Sequence, residues 1–241
     1  MIDDLAAEQD SLESVLTGLT DAQWSAPSAA AGWSVTDVVL HLAQTEEAVV
    51  AAVNSAGTPD MWRRGASSVD DAAEAAVQAE RAPAASVFAR WQAARHSSVQ
   101  ALRAADPHER VQWVASTLTP PGLATTRLAE HWAHGLDITD ALQLSRPDTD
   151  RLRHIAWLGH RTLPYSFQVA GQEPHEVYCE LTGPSGAVWS YGPETAESTI
   201  RGSAAEFCRV GAHRLAPEQT SLQCEGPYAA AALRVLRNYA A

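Results

Sequence analysis

Residues 127–142 read RLAEHWAHGLDITDAL, in which two histidines, two aspartates and a glutamate are interspersed with apolar side chains at helical spacing. On an α-helix, Glu130 and His134 lie about 40° apart on one face, and Asp137 follows one turn later on that face. Three apolar residues form a stripe on the opposite side: Leu128, Trp132 and Leu136. The pattern predicts an amphipathic helix whose polar stripe is either exposed to solvent or one wall of a metal site.

Glu130 and His134 are four residues apart, so one carboxylate and one imidazole can bind the same divalent cation, as in other metal-binding helical bundles. A third ligand would have to come from another helix. His41, in WSVTDVVLHLAQTEE, lies at the edge of the apolar face of a second predicted helix. It is either a packed or hydrogen-bonded core residue or the missing ligand. Two histidines and one glutamate would form a zinc-type set that leaves one coordination position open.

The apolar periodicity predicts four helices in the first part of the chain, at about 3–19, 32–53, 83–105 and 122–143. Ser34 and Asp37 are placed to form a capping box at the start of the second helix. Residues 54–68 are predicted to form a loop, and residues 106–122 a second long connection. This arrangement indicates a four-helix bundle.

The sequence SRPDTD marks a domain boundary near residue 147, which divides the chain into domains 1–147 and 148–241. After one more helix, predicted to stop at Pro164, the pattern changes to short β-rich segments. HEVYCELTG and AVWSYG are joined by GPSG, as in a hairpin, and STIRG and SLQCEG predict further strands. Helices are predicted at SAAEFCRVGAHRL and PYAAAALRVLRNYA. The fold class is therefore α+β with two domains.

The composition excludes several classes of partner. The formal net charge of −12 would repel nucleic acid, and the chain lacks the roughly 18 consecutive apolar residues of a membrane span. The acidic N-terminus does not resemble a secretory signal, so we expect a soluble, cytoplasmic protein. The three cysteines lack CxxC spacing and are expected to be buried, reduced residues: Cys179, Cys208 and Cys224.

The pair GWSVTDVVLHLA and RLAEHWAHGLDITDAL resembles the two signatures of mycothiol-dependent maleylpyruvate isomerase-like proteins, which belong to the DinB-like group of metal-binding four-helix bundles. The resemblance spans nearly the whole chain, because these proteins also carry a small C-terminal α+β domain of the sterol-carrier-like type. It implies that His41, Glu130 and His134 bind zinc. It also implies that Arg127 and Asp137 support the ligands rather than bind the metal themselves.

Other residues remain candidates for secondary roles. His131 lies about 60° from His134 around the helix and is an alternative metal ligand. Arg201 lies where a predicted strand passes into a helix, so its guanidinium and the free backbone N–H groups could bind an anionic substrate. The alternative for Arg201 is an ordinary surface arginine. Trp33 and Trp132 are interpreted as core anchors rather than substrate platforms.

A zinc ion with an open position lowers the pKa of a bound thiol and makes it a strong nucleophile at neutral pH. With the resemblance, this predicts an enzyme that uses mycothiol or a similar thiol for cis–trans isomerisation or for S-transfer to a small electrophile. The alternatives are a metal-dependent hydrolase, lyase or cyclase of specialised metabolism, and a non-catalytic metal-binding protein. Another divalent metal could replace zinc. The expected partner is a small molecule, with no nucleic acid and no membrane, and the chain is expected to be a monomer or homodimer.

Overall fold

A computed structural model describes residues 1–54, 68–114 and 116–238. The chain divides into two compact units, the first over Met1–Arg146 and the second beginning at Pro147. Each unit has its own buried apolar residues.

The first unit is a helical bundle. Its helices are α1 (Ile2–Thr17), α2 (Asp21–Ser25), α3 (Val35–Val53), α4 (Val69–Ala79), α5 (Ala84–Ala104) and α6 (Pro120–Leu142). The four long helices α1, α3, α5 and α6 pack against one another. Their apolar faces enclose a core that includes Leu12, Val38, Leu42, Trp91 and Ile138.

The prediction of four helices omits two helices and a pair of strands that the structure contains. The short helix α2 and the alanine-rich helix α4 bury few large side chains, so their apolar stripes are weak in the sequence. Inside the predicted connection 106–122, β1 (Val111–Trp113) pairs antiparallel with β2 (Ser116–Leu118). Residues 55–67 of the predicted loop 54–68 lie outside the described residues.

The ends of the two helices that carry the candidate ligands are fixed by side-chain caps. At the start of α3, Ser34 Oγ accepts a hydrogen bond from the Asp37 N–H, and the Asp37 carboxylate accepts one from the Ser34 N–H at 3.0 Å. The predicted capping box is therefore confirmed. At the start of α6, Thr119 Oγ accepts from the Gly122 N–H at 3.3 Å. Pro120 at the first helical turn has no N–H to leave unsatisfied.

Gly135, which follows the candidate ligand His134, leaves space for the side chain of a buried arginine. A Cβ atom at Gly135 would lie 2.4 Å from Nη1 of Arg146. That guanidinium is buried and forms an ion pair with Glu8 of α1, so it has little freedom to move aside. Gly135 therefore lets this ion pair lie directly against the segment of α6 that carries His134.

The second unit is a small α+β structure. Its elements are α7 (Leu152–Val169), β3 (Tyr178–Thr182), β4 (Val188–Tyr191), β5 (Thr199–Ser203), α8 (Ala204–Gly211), β6 (Gln223–Glu225) and α9 (Ala229–Val235). The strand order is β4-β3-β5-β6, with β3 and β5 parallel and the other neighbours antiparallel. The hairpin predicted at GPSG is confirmed, because Gly183 N–H donates to the Ala187 carbonyl and Gly186 has a φ of +87°.

The helix at the start of the second unit does not stop at Pro164 as predicted. It continues to Val169, and Pro164 lies on its exposed side. Proline removes a helical hydrogen bond, but Leu163 and Phe167 are almost fully buried on the other side. Their packing holds the last turn of α7.

One cysteine also differs from expectation. Cys179 and Cys208 are buried, and burial raises the pKa of the Cys179 thiol to about 12. Cys224 is exposed, because it lies in the edge strand β6, whose three residues all face solvent. Among the described helices, we find none with the length and apolarity needed to cross a bilayer.

Candidate metal centre

Three side chains from two helices converge inside the bundle. His41 comes from α3, and Glu130 and His134 come from α6. Oε2 of Glu130 lies 3.8 Å from Nε2 of His41 and 3.5 Å from Nε2 of His134. One donor atom from each residue lies within 4.8 Å of the other two. Two ligands of one tetrahedral zinc ion at about 2.0–2.1 Å are roughly 3.4 Å apart, so the cluster is close to the size that zinc requires.

His41 and Glu130 hold the protonation states that metal binding needs. Burial lowers the pKa of His41, so its imidazole is neutral at pH 7. Burial raises the pKa of Glu130, but the adjacent imidazoles of His134 and His41 outweigh it and hold that pKa well below the usual range. Nδ1 of His41 is buried and has no hydrogen-bond partner among the described residues. A neutral imidazole and a carboxylate are donor types that fit a divalent cation.

Asp137 fixes the orientation of the third donor. Nδ1–H of His134 donates to Oδ2 of Asp137 at 2.9 Å, and this leaves Nε2 directed toward Glu130. Burial lowers the pKa of His134, but the carboxylates of Asp137 and Glu130 outweigh it and raise the pKa overall. A carboxylate hydrogen-bonded to the outer nitrogen of a histidine is a common support in zinc sites.

The polar stripe of α6 is largely shielded from solvent, and Glu130 is its most exposed residue, with 29% of its side chain accessible. Arg127, His131 and Asp137 are all buried. Nδ1–H of His131 donates to the Arg127 carbonyl at 2.9 Å, and its Nε2 accepts from the indole N–H of Trp91 at 3.3 Å. Burial lowers the pKa of His131 to about 4. Both ring nitrogens are therefore used in the core, and His131 lies outside the three-residue cluster.

Trp33 forms one side of the cluster. Its ring centroid lies 5.1 Å from that of His41 and 6.2 Å from that of His134, and its indole N–H donates to Glu74 of α4. The residue also packs against the hydrophobic core. Its interpretation as a core anchor is therefore incomplete, whereas Trp132 is buried as expected.

The sequence interpretation missed Glu46. In the sequence, Glu46 and Glu47 look like a solvated pair on α3, and Glu47 does pair at the surface with Arg90. Glu46 instead has no exposed area, and its carboxylate accepts from Nε of Arg127 at 2.8 Å. A signal for this ion pair was present in the sequence. One of the two helices that carry the family signatures has an acidic residue, and the other has a basic residue.

Arg201 lies in β5, immediately before α8 begins at Ala204. Its guanidinium forms ion pairs with Glu225 at 2.9 Å and Glu180 at 3.6 Å, both on neighbouring strands. The predicted position at a strand-to-helix junction is observed. Any anion bound by Arg201 would compete with these two carboxylates.

The fold and the cluster define a helical-bundle protein with a candidate metal centre and a separate small α+β unit. The family model for the mycothiol maleylpyruvate isomerase N-terminal domain matches residues 5–139, and the chain belongs to this family. This confirms the family indicated by the two sequence signatures.

Two kinds of relative extend the match over nearly the whole chain. An uncharacterized protein of Mycobacterium tuberculosis, found in strains CDC 1551 / Oshkosh and H37Rv, is 34% identical over 98% of this chain and 94% of its own length. A crystal structure of the mycothiol-dependent maleylpyruvate isomerase has a TM-score of 0.63 at 16% identity, with 94% of both chains covered. A histidine-to-alanine mutant of that enzyme gives 0.61 at 15% identity. These likenesses confirm the α+β fold class, with a helical first part followed by a small sheet-containing part.

Proposed function

We propose that this protein is a zinc-dependent enzyme that uses mycothiol or a similar low-molecular-weight thiol to isomerise a small unsaturated acid. The observation that carries the proposal is the convergence of His41, Glu130 and His134 in a member of this family. The solved structures that share its fold are of a mycothiol-dependent maleylpyruvate isomerase. The family and the set of three donor residues therefore support the same chemistry, a metal-assisted isomerisation that uses a thiol.

The chain's own residues prepare the proposed site. His41 would offer a neutral imidazole, Glu130 a carboxylate, and His134 a nitrogen whose direction is set by Asp137. Bound zinc would supply an open position at which a thiol loses its proton at neutral pH. Trp33 would cover one side of the cluster and limit the entry of water.

The proposed reaction needs no oxidant and consumes no thiol. The sulfur adds to one carbon of a conjugated cis double bond, and the adjacent carbon takes up the electron pair. The former double bond is then a single bond and rotates. Elimination of the same sulfur restores the double bond in the trans form and returns the thiol, so all atoms and electrons balance.

We also propose Arg201 as a binding residue for the substrate's carboxylate. Its guanidinium is partly exposed and its planar N–H donors match a carboxylate, which would bind in place of Glu225 and Glu180. We expect Arg201→Met to raise KM for an acidic substrate more than it lowers kcat. Glu218→Gln, at an exposed position of the same unit, is the control.

Cobalt substitution tests the proposed function. Purified protein prepared without chelator should contain close to one zinc per chain. The cobalt-substituted protein should develop a sulfur-to-metal charge-transfer band on addition of mycothiol, and the holoenzyme should convert maleylpyruvate to its trans isomer. The His41→Ala protein should show neither band nor conversion.

The same measurements separate the alternatives. A charge-transfer band without isomerisation would indicate S-transfer to another electrophile. Bound metal without a band for any cellular thiol would contradict the thiol mechanism and favour a hydrolase, lyase or cyclase. Protein that binds no metal would contradict the metal-dependent proposal as a whole.

A further inference from the structure

A fully buried ion pair joins the two helices that carry the candidate ligands. Nε of Arg127 on α6 donates to Oε1 of Glu46 on α3 at 2.8 Å, and the two side chains are 3% and 0% exposed. The second carboxylate oxygen accepts a hydrogen bond from Ser98 of α5. His131 places Nδ1 3.7 Å from the same carboxylate. Three helices of the bundle therefore meet at this one charged pair.

The pair is linked to the backbone of His41 through Thr45, and it shares a face of α6 with His134. Nη2 of Arg127 donates to Oγ1 of Thr45 at 2.6 Å, and that hydroxyl lies 3.0 Å from the carbonyl oxygen of His41, to which it donates. Arg127 precedes His134 by seven residues, or about two turns, so both lie within about 20° on one face of α6. A shift of α6 along α3 would break the contacts of Arg127 and move His41 away from Glu130.

Stability alone does not account for such a pair. Two charges removed from water lose more solvation than their attraction returns in many proteins, and apolar residues of similar volume are often as stable or more stable. The best-documented advantage of a buried polar pair is that it selects one register between helices. By contrast, Glu47 and Arg90 connect α3 and α5 at the surface, where solvent screens them.

We infer that Glu46 and Arg127 are positioning residues that set the register of α3 against α6, and through Thr45 hold His41 opposite Glu130 and His134. This inference rests on the proposed metal site for its functional meaning. The geometric claim concerns the placement of the imidazoles and can be tested with and without metal.

The main test separates positioning from stability. The double variant Glu46→Leu/Arg127→Met removes both charges, so it should unfold at a urea concentration close to that of wild type. Its dissociation constant for Co²⁺ should nevertheless rise by about 10-fold or more, and its visible absorption bands should change. The control Glu47→Gln should leave both unchanged. A folded double variant with wild-type Co²⁺ affinity and spectrum would overturn the inference.

Two single substitutions at Thr45 test the inference even if the double variant does not fold. Thr45→Val removes the hydroxyl that links Arg127 to His41 but keeps the shape, so Co²⁺ binding should weaken several-fold. Thr45→Ser keeps the hydroxyl and should restore wild-type affinity. Equal affinities for the valine and serine variants would contradict the inference.

Metal-free protein distinguishes this inference from the proposed function. The ring resonances of His41 and His134 in the NMR spectrum should shift in Thr45→Val and return in Thr45→Ser. If wild type binds no Co²⁺ but these shifts occur, the proposed function fails and the positioning role stands. Unchanged imidazole resonances in Thr45→Val would overturn the positioning role.

Discussion

The two candidate histidine ligands differ in pKa because they have different surroundings. Burial keeps His41 neutral, whereas Asp137 and Glu130 raise the pKa of His134. In the metal-free protein His134 therefore retains a proton at a higher pH than an ordinary histidine. Metal binding must displace that proton, so the affinity for zinc should fall as the pH is lowered.

Removal of any one ligand should release most of the metal. His41→Ala, Glu130→Ala and His134→Ala each leave two protein donors, and two donors hold zinc far less tightly than three. Elemental analysis after dialysis measures the zinc content per chain. Asp140→Asn, which changes an exposed residue of the same helix, is the control. Full metal content in one ligand variant would remove that residue from the proposed set.

Asp137→Asn should weaken zinc binding about 10- to 100-fold without unfolding the protein. The amide removes the negative charge and can present an N–H to Nδ1, which favours the wrong tautomer of His134. Competition with a chromophoric chelator measures the affinity. Asp140→Asn, at an exposed position one turn further along α6, should bind zinc like wild type. Equal affinity for the two variants would show that Asp137 does not orient His134.

Helical spacing predicted that Glu130 and His134 lie close together, but it did not predict what surrounds them. The i,i+4 relation brought Glu130 and His134 together because helix geometry is local. The same periodicity could not distinguish a polar stripe exposed to solvent from one buried in the bundle. That distinction depends on where α3 and α5 lie, and these helices bury Arg127 and His131. Glu46 was missed for the same reason.

At the scale of helices and strands, the capped start of α3 is a measurable source of stability. Burial raises the pKa of Asp37, but hydrogen bonds from Ser34 and Arg81 outweigh it and lower the pKa below its usual value. The folded state therefore favours the carboxylate more than the unfolded chain does. Stability from Asp37 is present above its unfolded pKa of about 3.9 and is lost as the pH falls through its folded pKa.

Asp37→Ala should lower the free energy of unfolding by about 1–2 kcal/mol at pH 7, since it removes half of the capping box. Arg81 is half exposed, so loss of its ion pair adds little. Urea unfolding at several pH values measures the difference, which should shrink toward zero in acid. Asp21→Ala, exposed in the first turn of α2, should cost less. A cost for Asp37→Ala that does not change with pH would contradict the assignment.

Elements with strong local signals were predicted, and elements held by distant contacts were not. The caps of α3 and the GPSG hairpin depend on adjacent residues. The last turn of α7 depends on burial of Phe167, which outweighs Pro164. The small helix α4 is attached to α3 by Gln44, whose side-chain amide donates to the Ala76 carbonyl at 2.9 Å. No window of local sequence contains that contact.

For the whole molecule, the placement of all three candidate ligands in the first unit has a thermodynamic consequence. A ligand that binds only the folded state stabilises it, by about 2.7 kcal/mol when its free concentration is 100 times Kd. Zinc should therefore raise the stability of the unit Met1–Arg146, because none of the three cluster residues belongs to the unit that begins at Pro147. The net charge of −12 also favours association with a cation.

Hydrogen exchange measured by mass spectrometry can resolve this effect along the chain. Zinc should slow exchange in peptides from α3 and α6, whereas peptides from β3 and β5 should exchange at the same rate with and without metal. The Glu130→Ala protein should show no zinc-dependent slowing anywhere, because it lacks the carboxylate that both histidines face. Equal protection of both units by zinc would contradict a site confined to the bundle. Slowing that persists in Glu130→Ala would place the zinc at other residues.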